Sequence, residues 1–166
     1  PAVPGVGDDP PARAGGPAAV VGCVGVSVAR GAGRAAGVRE TGTRTAVEAM
    51  RATGVRRLVC LSTLGAGESR ANLNFVWKYL MFGLLLRAAY ADHQRQEEVV
   101  RGSGLDWTLI LPSAYTDGPR TGDYRHGFGP DATGLTLKVA RADVADALLR
   151  AVTDRAQVGR AVAVSH

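Results

Sequence analysis

Residues 52–67 read ATGVRRLVCLSTLGAG, and this stretch decides the fold. Leu58, Val59, Cys60 and Leu61 form an apolar run with no alternation, the pattern of a strand covered on both faces. Gly54 sits where a helix C-terminus wants a residue tolerant of positive φ. Ser62 and Thr63 fall at the carboxyl end of the strand, and in open parallel α/β sheets ligands bind beyond that end.

Working outward, the same alternation recurs. Val20 to Val28 (VVGCVGVSV) reads as a strand ending near Gly25, followed by a loop kept irregular by Gly31, Gly33 and Gly37. A helix is expected from about Val38 to Thr53, with Val47 and Met50 inward and Arg44, Glu48 and Arg51 outward. Beyond the central strand, 65–74 reads as a polar loop. Phe75 to Ala89 is strongly apolar and reads as a short helix or a lid-like insert. It either roofs a substrate, packs as core, or makes a dimer contact.

Tyr90 to Arg101 is an amphipathic helix ended by Gly102 and Gly104, and Leu105 to Leu111 is a second buried strand closed by Pro112. Residues 113–134 read as a long loop, the kind that is functional or disordered. A short strand over Leu135 to Val139, a helix over Ala140 to Val152 and a strand over Ala161 to Val164 complete the chain. Val144, Ala147, Leu148 and Ala151 form the apolar stripe of that last helix, and Asp143 near its start suits the helix dipole. Strands alternating with helices define an α/β fold, a doubly wound parallel sheet with helices on both faces.

Composition narrows the function classes. The chain has 166 residues, a hydrophobic fraction of 46% and a net charge of +5. These are values for one globular domain with a real core. The basic residues are nearly all Arg, with no dense run interleaved with aromatics, so no nucleic-acid partner is expected. The apolar run Tyr79 to Leu86 is far below the ~20 residues needed to span a bilayer, so no membrane partner is expected either. Without a recognisable signal peptide, a cytoplasmic location is the default. Cys23 and Cys60 both lie in strand-like runs and read as buried free thiols, with no metal spacing.

Nucleotide motifs are weak. Gly31-Ala-Gly33 followed by Gly37, and Gly65-Ala-Gly67, both lack the spacing of G-x-G-x-x-G, and no GxxxxGK[ST] occurs. A flexible loop is the plainer reading of the first, a phosphate contact the sharper one.

Four segments taken together resemble the atypical NAD(P)H-binding proteins of the short-chain dehydrogenase superfamily, the NmrA-like and flavin reductase/biliverdin-IXβ reductase group. They are VVGCVG at 20–25, residues 42–67, ADHQRQEEVVRGSGLDWTLILPSAYTDGPRTGDYR at 91–125, and VARADVADALLRAV at 139–152. The resemblance implies a Rossmann-like domain over 19–166, preceded by an irregular leader over 1–18. In that group the chain opens with a strand and a GxxGxxG turn for the cofactor pyrophosphate. Neither is found here, so the domain is expected to be partial and N-terminally truncated.

The resemblance also implies roles. Gly25, Ser62, Thr63, Pro112, Ser113 and Ala114 would line the nicotinamide half of an NADP or NAD site, NADPH being favoured by the resemblance alone. Ser62 would be the catalytic hydroxyl. Strand-end capping is the competing reading of Ser62 and Thr63, and a simple strand stop that of Pro112. Candidates for the substrate side are Asp92, His93, Tyr115 and Tyr124. His93 is either a general acid or a surface residue pairing with Glu97 one turn on. No Tyr is followed four residues later by Lys, so the usual Tyr-Lys proton relay is missing. The biliverdin-reducing relatives carry a His shortly after the strand-end Pro, where this chain has Ala114, which tells against a bilin-specific role. The expected activity is hydride transfer from NAD(P)H to a flat conjugated small-molecule acceptor, a flavin or quinone, by a monomer or homodimer. The rival is a non-catalytic NAD(P)-sensing regulator of the NmrA kind, or an inactive fragment of either.

Overall fold

The computed structural model describes residues 18–24, 37–65, 87–129 and 132–166. The leader, Gly25, the glycines at 31 and 33 and most of the apolar 75–89 insert lie outside them.

Seven strands and three helices are described: β1 (Ala19–Gly22), α1 (Val38–Thr53), β2 (Arg57–Leu61), α2 (Arg87–Arg101), β3 (Asp106–Pro112), β4 (Ala114–Thr116), β5 (Arg125–His126), β6 (Lys138–Ala140), α3 (Arg141–Thr153) and β7 (Arg160–Ser165). The main sheet runs β1-β2-β3-β7-β5, and β4 pairs with β6 in a separate small sheet. Every pairing is parallel except β5 on β7.

The central strand behaves as its unbroken apolar run requires. Leu58 and Cys60 join Val47, Met50, Val100 and Leu109 on the face covered by α1 and α2. Val59 joins Val144, Leu148 and Ala151 on the face covered by α3, with Leu61 packed at its margin. Leu58, Val59 and Cys60 are each no more than 1% exposed, a burial of about 1.5–3 kcal/mol per large aliphatic side chain. At the end of α1, Gly54 adopts φ 75° and Val55 donates its amide to the Met50 carbonyl. Only a residue without Cβ takes that turn at no cost.

Three expectations need correction. The 113–134 segment is not one loop, because it contributes β4 and β5. Neither strand has the apolar run that announces a strand, since both are largely exposed. β1 stops at Gly22 rather than near Gly25. Its partner β2 is matched residue for residue from Ala19↔Arg57 to Gly22↔Cys60. Cys23, just past that strand, is therefore exposed, whereas Cys60 inside β2 is buried. Burial pushes the Cys60 thiol up to about 12.

One charged residue is part of the core. Arg57 is 4% exposed at the start of β2. Its guanidinium donates to the carbonyls of Asp106 at 2.6 Å, Val152 at 3.2 Å and Ala151, and to Thr108 Oγ1 at 2.8 Å. It thereby ties the last turn of α3, whose terminal carbonyls have no partner within the helix, to β2 and β3. Arg57→Met leaves those buried acceptors unsatisfied, and a urea titration is expected to show a loss of about 2–4 kcal/mol in unfolding free energy.

Candidate functional site

β2 and β3 lie side by side in parallel, with Leu61 opposite Ile110. The pairing continues beyond β2: the Ser62 amide donates to Ile110 O and the Leu64 amide to Pro112 O, both at 2.9 Å. Ser62, Thr63, Pro112 and Ser113 are thus delivered to the same edge of the sheet. At Ser113 the chain leaves β3, donating its amide to Val164 O at 3.0 Å and its hydroxyl to Ser165 Oγ at 3.2 Å. The Ala114 amide turns to Leu137 O at 3.1 Å, which starts β4.

Ser62 lies on the α2 face and is 1% exposed. Its hydroxyl donates to Glu97 Oε1 at 2.6 Å, and its oxygen lies 3.4 Å from His93 Nδ1. Glu97 is itself 3% exposed, with Oε2 3.6 Å from the Arg101 guanidinium. Helical spacing of four places His93 and Glu97 on one face of α2, and Ser62 stands between them. The expected direct pairing of His93 with Glu97 at the surface is replaced by this bridged arrangement. Glu97 is the residue sequence reading underrated. Its signal was an acid set beside the apolar Val99 and Val100.

His93 is half-buried and its pKa is lowered to about 4. Burial is the largest cause. The Arg39 guanidinium adds to it, and Asp92 and Gln96 partly oppose it. Asp92 is 1% exposed and accepts from the Arg39 amide at 3.3 Å and its guanidinium at 3.4 Å. His93 is therefore neutral near pH 7 and has no proton to give as an imidazolium.

Tyr90 stands 6.3 Å from His93, ring centre to ring centre, and donates to Leu64 O at 3.4 Å. Burial raises its pKa, while the Thr63 hydroxyl opposes the shift. Tyr115, 43% exposed, carries the Arg141 guanidinium 5.5 Å above its ring. Burial raises its pKa too, with smaller contributions from Cys23, Arg141, Arg39 and Tyr90. Tyr115 follows directly on the end of β3, and the charges that reach it come from Cys23 past β1, Arg39 of α1, Tyr90 of α2 and Arg141 of α3.

Tyr124 is elsewhere. It packs against the α3-side core and donates to Asp146 Oδ2 at 2.8 Å. Burial and that carboxylate push its pKa up to about 12. The sheet separates it from Ser62 and His93.

On that α3 face, Asp143 is fully buried. It accepts from the amides of Thr121 and Gly122 and from the Thr121 hydroxyl, each at 2.8 Å, and lies 3.1 Å from His166 Nε2. Burial alone would raise its pKa, yet these bonds together hold it below the usual carboxylate value. Asp143 is thus a loop anchor as well as a helix-dipole partner. A polar groove of about 430 Å³ lies between α1 and α2. Its charges are partly spent on one another, Glu40 with Arg44 and Arg95 among them. No group of His, Cys, Asp and Glu fit to hold a metal occurs among the described residues. Nor is any helix among them long and apolar enough to cross a membrane.

Fold and strand-edge cluster together define a Rossmann-like nucleotide-binding protein. A family model described as NAD(P)H-binding matches residues 16–155, and the chain belongs to that family. No curated protein matches the sequence. Among solved structures, a Bacillus halodurans protein described as a NAD-dependent epimerase/dehydratase aligns with TM-score 0.73 at 19% identity, covering 90% of this chain and 64% of its own. A Streptococcus pneumoniae protein described as an NADH-flavin reductase aligns with TM-score 0.70 at 15% identity, covering 92% and 73%. ChuY, an anaerobilin reductase from Escherichia coli O157:H7, aligns with TM-score 0.66 at 21% identity, covering 87% and 61%. At these identities the likeness is one of fold, and the chain spans less than two thirds of the first and third of these proteins.

The depressed His93 pKa has a consequence for stability. Below pH 6.5 an unfolded chain protonates this imidazole, and the folded chain does not until about pH 4. The unfolded state therefore gains the proton first, and stability falls as pH drops through that window. His93→Gln is expected to flatten the pH dependence of the urea midpoint between pH 6.5 and 4.

Proposed function

We propose that this chain belongs to an NAD(P)H-dependent oxidoreductase that reduces a flat conjugated small molecule such as a flavin. The nicotinamide end of the cofactor would lie beyond the carboxyl ends of β2 and β3. One observation carries this reading: two adjacent parallel strands open at the same end, and Tyr90, His93 and Tyr115 gather there. The rim of a parallel sheet is where α/β folds hold their ligands.

The residues present suit that end of the cofactor. The half-buried Thr63 hydroxyl lies 3.5 Å from Leu64 O and hydrogen-bonds the Tyr90 hydroxyl, and from that position it would also reach a carboxamide or ribose hydroxyl. The backbone at Pro112, Ser113 and Ala114 would run along the ring. Ser62 is turned away from the rim onto Glu97, so in this reading it acts through His93 rather than by touching substrate. When bound, NAD(P)H supplies the hydride.

The chain's own work is positioning and water exclusion. Tyr90 and Tyr115 keep their phenolic protons at neutral pH and act as hydrogen-bond donors, not as bases. The proton that accompanies hydride to the acceptor comes from water. Tyr124, on the opposite face, has no part in this site.

A non-catalytic NAD(P) sensor is the second reading. It is favoured by His93 being neutral and by Ser62 having its proton committed to Glu97, which leaves no ready acid at the rim.

Calorimetry with NADPH and NADH, followed by NADPH oxidation with FMN or a quinone, separates the two. The enzyme reading expects binding and acceptor-dependent turnover. The sensor reading expects binding with none. Absence of binding contradicts both. Thr63→Val is expected to weaken dinucleotide binding by about 1 kcal/mol, roughly fivefold in Kd, without altering the fold.

A further inference from the structure

We propose that Glu97 and Ser62 hold His93 as the Nδ1–H tautomer, so that its Nε2 offers a lone pair that recognises an N–H donor on the bound ligand. The inference rests on the NAD(P)H-site reading for its ligand and on the hydrogen-bond chain for its tautomer.

Glu97 Oε2 faces the Arg101 guanidinium at 3.6 Å, and Oε1 acts toward Ser62 as an acceptor. Ser62 has one hydroxyl proton, and the 2.6 Å contact to Glu97 Oε1 takes it. Toward His93, 3.4 Å away, the Ser62 oxygen is left with lone pairs alone. Two acceptors facing each other repel, so the ring proton resides on Nδ1. A neutral imidazole carries one proton, and Nε2 is then bare.

The other groups around the ring agree. Asp92 gives its Oδ2 to Arg39 and holds its Oδ1 3.9 Å from the Arg95 guanidinium, and the Tyr90 ring centre stands 6.3 Å away. Gln96, one turn on, favours a proton on the imidazole. No neighbour gives the ring a second proton at neutral pH.

The chemistry selected is an N–H donor at the edge of a planar group. An isoalloxazine has one in its imide, and a nicotinamide has one in its carboxamide. A simple quinone offers only carbonyl acceptors and gains nothing from a bare Nε2. Ser62 and Glu97 are positioning residues here, while His93 makes the contact.

Nitrogen-15 NMR of the imidazoles in the free protein tests the tautomer. The expected spectrum at neutral pH has His93 Nδ1 protonated and Nε2 unprotonated, and the reverse overturns the proposal. Glu97→Gln puts an amide donor against Ser62, which can then donate to Nδ1, so the tautomer is expected to switch. If that variant does not fold, the wild-type spectrum alone decides.

Recognition is tested with two probe pairs, lumiflavin against 3-methyllumiflavin and NADPH against its 3-acetylpyridine analogue. The second member of each lacks the N–H. At least one pair is expected to differ about fivefold or more in Kd, which identifies the donor's source, and His93→Ala is expected to bring that ratio near one. Binding with both ratios already near one in the wild type overturns the recognition claim and leaves the oxidoreductase reading intact. If none of the four probes binds, both the recognition claim and the parent reading fail, whatever tautomer the free protein shows.

Discussion

The parallel pairing of β2 with β3, carried past the end of β2, is the constraint on which the rest depends. Two amides, Ser62 and Leu64, continue the ladder onto Ile110 and Pro112. They keep the two strand ends from splaying and set the positions of Thr63 and Ser113. The pairing is held by burial on both sides, since Leu58 and Cys60 look into one helical layer and Val59 into the other. Arg57 closes the opposite end of the same strand, where it satisfies the buried terminal carbonyls of α3. One strand therefore ties down a helix at one end and fixes the Ser62–Ser113 edge at the other.

The two faces divide the polar chemistry. On the α3 face, Asp143 and Asp146 accept many bonds and serve as anchors for the 120–124 turn. On the α2 face, Ser62, His93 and Glu97 form a short chain that ends beside the strand edge. A buried charge such as Glu97 is costly unless it is fully bonded. Here the cost is offset by Ser62 and Arg101, and the result is an oriented imidazole.

The fold was legible because its strongest elements obey simple patterns. The 58–61 run, the Gly54 stop and the α3 stripe of Val144, Ala147, Leu148 and Ala151 all stand where periodicity put them. β4 and β5 were not legible, because two- and three-residue exposed strands have no periodicity to read. Of the candidate site, the adjacency of Ser62 and Pro112 followed from strand order. The direction of the Ser62 hydroxyl did not, for it depends on a helix residue 35 positions away in the chain. Tyr124 was a substrate-side candidate beside His93, and its packing against the α3-side core sets it on the other face. Gly25 lies outside the described residues.

The most direct test of the strand-edge site is a titration of nitrogen-15-labelled protein with NADP⁺, followed by backbone amide shifts. The account predicts the largest shifts at Thr63, Leu64, Tyr90, His93, Ala114 and Tyr115. Shifts confined to the α1–α2 groove, at Arg44, Arg51 and Arg95, would contradict it.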